Sequence, residues 1–223
     1  MNTQTFHSAA GGRSSESVGG WRADAPTGFR RTAAVTLALA LIAGSLSAQR
    51  QRRETGPRIP PAEGVESINL IRTLSHHPPL MEAWGPFGGY ILRGSTLPDR
   101  DREMVILRTS WLNEAEYEWG YHARAARAAG MTDEEIRNVA VGENAGPWTS
   151  FERYLLRAAT ELHRNSAISE RTWAFLKARY SDQQMIDLIF TVGQYRMVSM
   201  ALRSIRVELD EGLEPFPEDV PRR

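Results

Sequence analysis

Residues 99–136 read DRDREMVILRTSWLNEAEYEWGYHARAARAAGMTDEEI, and their reading decides the fold. Glu103, Ile106, Leu107 and Ser110 recur on one face of a helix, so a carboxylate borders an apolar stripe. Gly130 stands where a C′ glycine would end the next helix. Thr132 and Glu135 then form a capping box for a further one. Outward from this stretch the pattern continues. From Asp99 to Glu214 there is a single proline, Pro147, and strand signals such as Asn-Gly turns or Val/Ile/Thr alternation are missing. Thr149 with Glu152 and Ser181 with Gln184 repeat the capping box.

These signals predict an all-α domain over residues 65–210, of about seven helices. The spans are 65–77, 79–92 with a kink or break at Gly85-Pro86 and Gly88-Gly89, 99–113 capped by Thr96 or Asp99, and 114–129. Others open at Thr132, at Thr149 (to about Arg164), at Ser169 (to Arg179) and at Ser181 (to near Glu208). Gly120, inside a helix, predicts close approach of another helix, because glycine is otherwise costly there. Residues 211–223, with three prolines, read as a C-terminal arm.

The N-terminal region reads differently. Arg30-Arg31, the apolar run AAVTLALALIAG (33–44) and the small residues up to Ala48 resemble a secretory signal. The run is too short for an ordinary span, which takes roughly 20 apolar residues. The expectation is therefore a leader over 1–48, export to the periplasm, and no stable membrane span after processing; a cytoplasmic protein with an early start is the alternative. Residues 49–64 read as a polar, proline-containing arm.

Composition narrows the chemistry. The 223 residues hold 27 basic and 27 acidic side chains and no cysteine. Disulfides, thiolate nucleophiles and cysteine-ligated zinc are excluded for this chain. The balanced charge argues against a nucleic-acid partner. Lys177 is the one lysine, so a Schiff base would have to form there. Among the histidines, His163 reads as a capping or surface residue, and one of His76 and His77 as buried against the second helix. His122 is the catalytic candidate. Glu118 lies four residues before it on the same helical face, in an arrangement that suits acid–base catalysis but also an exposed ion pair. An antiparallel preceding helix would bring Glu103 to the same place. Tyr195 lies in Gln194–Met200, whose aromatic and methionine positions suit core or the wall of a small pocket. The Glu118/His122 spacing differs from the i,i+3 pairs of di-iron bundles, so no metal and no cofactor is expected.

The stretches Arg102–Arg108, Glu116–His122 and Ala129–Ile136 together resemble the carboxymuconolactone decarboxylase family, whose superfamily includes the alkylhydroperoxidase D-like proteins. Pro86–Leu92 and Phe190–Tyr195 resemble it too. The resemblance implies an AhpD-like helical bundle, a homotrimer or homohexamer, and a site between the helices bearing Glu103 and His122. Peroxidatic members carry Cys-x-x-Cys with a histidine four residues on; here those positions hold Ala115 and Glu118. The relay glutamate of such members falls on Glu103. The resemblance thus implies a cysteine-less member with its acid–base pair intact. On that basis a small-molecule substrate is expected, a carboxylated lactone or keto acid undergoing decarboxylation. His122 is the proton donor, Glu118 or Glu103 sets its state, and Arg108 or Arg124 holds the carboxylate. A thiol-free antioxidant relative and a non-catalytic oligomeric binding protein are the alternatives.

Overall fold

The computed structural model describes residues 56–221; the leader over 1–48 and part of the following arm lie outside them. The described residues form eight helices and no strand. They are α1 (Asn69–Leu74), α2 (Pro78–Arg93), α3 (Asp99–Leu112), α4 (Glu116–Ala128), α5 (Asp133–Val141), α6 (Ser150–Asn165), α7 (Glu170–Lys177) and α8 (Asp182–Ile205). No helix among them is long and apolar enough to cross a membrane.

All three capping boxes form, each with the hydroxyl accepting from the N3 amide and the N3 side chain reaching back. Gly130 has φ +87°, the left-handed conformation that ends α4. Three expectations need correcting. The N-cap of α3 is Pro98; Thr96 instead donates to Asp187 through its hydroxyl at 2.7 Å and its amide at 2.6 Å. α2 runs unbroken through Pro86, because Pro86 and Glu82 are exposed, so the carbonyl that loses its donor faces water. His76 and His77 are both exposed; His77 caps α2, with Nδ1 accepting from the Leu80 amide.

α3 is the axis of the domain. It packs against α4, α5, α6 and α8 and is buried almost all round, from Asp101 through Ser110 apart from Arg102. Met104, Val105 and Leu107 lie fully buried in the main core with Leu155, Leu156 and Leu188. Each such side chain stabilises the fold by roughly 1.5–3 kcal/mol. Its buried polar groups are paired: Tyr180 donates to Asp101 at 2.7 Å, and Thr109 and Ser110 return their hydroxyls to the helix backbone.

The segment after α8 does not extend away. It crosses α4, burying Phe216 and Val220 in the core, with Phe216 edge-on to Trp111 at 5.0 Å. Gly120 is where it passes: a Cβ there would sit 2.9 Å from the Glu214 carbonyl oxygen and 3.1 Å from Leu213 Cβ. Close approach is thus the reason for the glycine, but the neighbour is this returning segment and not a helix.

Candidate active site

α3 and α4 bring Glu103 and His122 together. Glu103 Oε2 lies 2.6 Å from His122 Nδ1, and both residues are buried. The other Glu103 oxygen accepts from Arg102 Nε and Nη2 at 3.3 and 3.2 Å. A buried carboxylate needs this degree of pairing. With Nδ1 engaged, Nε2 is the ring nitrogen left for a bound molecule. Tyr195 from α8 packs edge-on against the imidazole, ring centroids 4.7 Å apart at 90°, and holds its plane. Burial, then the nearby Glu103 and Glu118 carboxyls, push the Tyr195 phenol well above its usual range, so it stays an uncharged wall.

Glu118 shares the face with His122, as the spacing predicts, but is not its partner. It meets Ser199 Oγ on α8. Burial pushes its carboxyl up to about 8, although Ser199 opposes the rise.

His122, Glu118 and Tyr195 line one cavity of about 600 Å³, which Arg124 also borders. This volume is in the range of small-molecule sites. Leu70 of α1, Met81 and Leu92 of α2, Ala125 of α4 and Val198 of α8 make most of it apolar. Below it, Asp210 accepts from the Tyr117 and Tyr121 hydroxyls and the Asn69 amide at 2.5–2.9 Å, which ties α1 to α4. Arg124 is exposed, its guanidinium 5.4 Å from the Tyr121 ring centroid.

Arg108 is elsewhere. Its guanidinium donates to the Val139 and Ala140 carbonyls at 3.2 and 2.8 Å and to Thr160 Oγ1 at 3.1 Å, which caps the end of α5. It borders a separate cleft of about 280 Å³. Of the two candidate carboxylate-holding arginines, only Arg124 reaches the His122 cavity. Sequence reasoning missed Trp84 and Gln194, which line the cavity from α2 and α8; neither sits in a spacing that marks it. Met197 and Met200 face outward. No three His, Asp or Glu side chains converge as a metal site would need among the described residues.

The model of the carboxymuconolactone decarboxylase family matches residues 78–161, which span α2 to α6 and include Glu103, Glu118 and His122. Over these residues the chain is similar to that family. The chain lacks cysteine altogether. Solved structures share the bundle. A protein of unknown function from Agrobacterium tumefaciens is 19% identical with a TM-score of 0.57, over 61% of this chain and 94% of that chain. The alkylhydroperoxidase AhpD core of an uncharacterized peroxidase-related protein from Ralstonia eutropha JMP134 is 19% identical with a TM-score of 0.59, over 64% and 77%. The debrominase Bmp8 is 14% identical with a TM-score of 0.57, over 65% and 78%. At these identities the likeness is one of fold. No curated protein matches the chain.

Proposed function

We propose that this protein is a cofactor-free acid–base enzyme, a carboxy-lyase acting on a small carboxylated lactone or keto acid. The observation that carries the reading is the buried Glu103–His122 pair at the wall of a largely apolar cavity. Glu103 orients the imidazole so that a proton on Nε2 can be passed to the substrate. Arg124 at the rim is placed to orient the carboxylate. The carbon–carboxylate bond breaks and its electron pair delocalises toward the substrate carbonyl, releasing CO₂. His122 then gives its proton to the carbon and recovers one from solvent. Each turnover thus consumes one substrate carboxylate and one proton.

A screen of the purified protein against lactone and keto acids, with CO₂ release as readout, tests this. Turnover that disappears in His122→Gln is the expected result; equal turnover in that variant overturns it.

We also propose a homo-oligomer, a trimer or hexamer as the family resemblance implies. Ile186, Phe190, Met197 and Met200 form an exposed apolar ridge along α8, which supports a subunit contact. The signal-like segment supports export, tested by cleavage of the leader in an expressed full-length chain.

A further inference from the structure

Three buried polar atoms among the cavity-lining side chains have no partner in the protein: Glu118 Oε1, Trp84 Nε1 and Gln194 Oε1. Glu118 and Gln194 are 3% and 5% exposed, so neither reaches bulk water. The Trp84 indole and the Gln194 amide converge over Gly88, where an added Cβ would lie 3.3 Å from Trp84 Cε2 and 3.4 Å from Gln194 Nε2. Gln194 and Ser199, the partner of Glu118, are successive turns of α8. A single unpartnered polar atom is a common cost of packing; three around one cavity suggest a ligand that completes them.

The proton count defines what that ligand presents. Ser199 Oγ approaches both the Tyr195 carbonyl oxygen, at 2.6 Å, and Glu118 Oε2. Both contacts require a hydrogen, and a serine hydroxyl has one. Ser199 shares it between Glu118 Oε2 and the Tyr195 carbonyl oxygen, and Asn113 Nδ2 donates to Ser199 at 3.2 Å. This leaves Glu118 Oε1 as an acceptor. Trp84 Nε1 is a donor only, and the Gln194 amide can present oxygen or nitrogen. The complement of an acceptor, a donor and an amide is a hydroxyl group, which both donates and accepts.

We propose that the cavity binds an apolar ring compound by its hydroxyl group, which donates to Glu118 Oε1 and accepts from Trp84 Nε1. The inference rests on the reading of this cavity as the substrate site, and it narrows the substrate class to a hydroxylated ring acid, with the carboxylate toward Arg124.

Binding of 2-naphthol and 2-methoxynaphthalene, measured by calorimetry at near-neutral pH, tests it without turnover. The methyl ether can accept but not donate, so the naphthol should bind roughly tenfold more tightly, the worth of one buried hydrogen bond and the unmet acceptor. Glu118→Leu should erase that difference. Glu118→Gln, which keeps a carbonyl toward the ligand and an N–H toward Ser199, should hold naphthol affinity within about twofold. Trp84→Phe should weaken both probes, and serves if Glu118→Leu does not fold. Equal affinity for the two probes, no naphthol binding, or wild-type affinity in both Glu118→Leu and Trp84→Phe overturns the proposal. A protein that binds by this pattern yet turns over no acid would sink the lyase reading and leave the hydroxyl site standing.

Discussion

Glu103 and His122 sit on different helices, 19 residues apart, with carboxylate and imidazole 2.6 Å from each other. The pair is buried, and Glu103 is held from its other side by Arg102. Glu103→Gln should therefore act through the ring it orients. Turnover should fall and its pH profile should shift, while His122→Gln should lose about 10²- to 10⁴-fold in rate with the fold intact. Steady-state rates across pH, with circular dichroism on each variant, check both. An unshifted profile in Glu103→Gln would deny it a positioning role.

Glu118 is raised to about 8, chiefly by burial. Between about 4.5 and 8 the folded protein then holds a proton at this site that the unfolded chain has released. The slope of stability with pH is negative where the native state binds more protons. The contribution of Glu118 is thus fully present below about 4.5 and is lost as pH rises through about 8. Glu118→Gln cannot ionise, so its thermal midpoint should gain on the wild type as pH rises over that window. Parallel melting curves from pH 5 to 8.5 would contradict the raised value.

The two arginines proposed for carboxylate binding should separate. Arg108→Leu strips donors from two carbonyls at the end of α5, and should cost about 2–4 kcal/mol of stability. Arg124→Ala, at an exposed position, should leave stability nearly unchanged and raise KM. Chemical denaturation beside substrate titration reads both effects, and a rise in KM for Arg108→Leu at full stability would reverse the assignment.

Gly120→Val should push the segment around Glu214 off α4, since even a Cβ would meet its carbonyl oxygen at 2.9 Å. Phe216→Ala should cost about 3–5 kcal/mol, as for other buried aromatics. Protease susceptibility after residue 209 measures the release; a protected segment in Gly120→Val would show that the backbone adjusts without cost.

Charge on the α8 ridge should break the proposed assembly. Phe190→Glu with Met200→Glu, at positions 53% and 59% exposed, should yield smaller particles by light scattering without loss of helicity. A wild-type monomer would dispose of the oligomer.

Helix ends were legible because capping is local: Thr132, Thr149 and Ser181 and their N3 partners lie within one turn. The Glu103–His122 pair was legible because two consecutive helices and a short turn leave few ways to pack. Arg108 was not, because α3 is buried on nearly every side, and periodicity cannot say which buried face meets the cavity. Trp84 and Gln194 come from helices far apart in sequence, and only tertiary packing makes them neighbours. Gly120 signalled a close contact, but not that an irregular segment would make it.

That segment has a consequence in time. During synthesis α4 can emerge, form its turns and meet α3 long before Phe216 and Val220 exist. Its outer face stays uncovered until some ninety further residues have been made, a long-range contact of the kind that closes late in folding. The helix carrying His122 is therefore among the last to be secured.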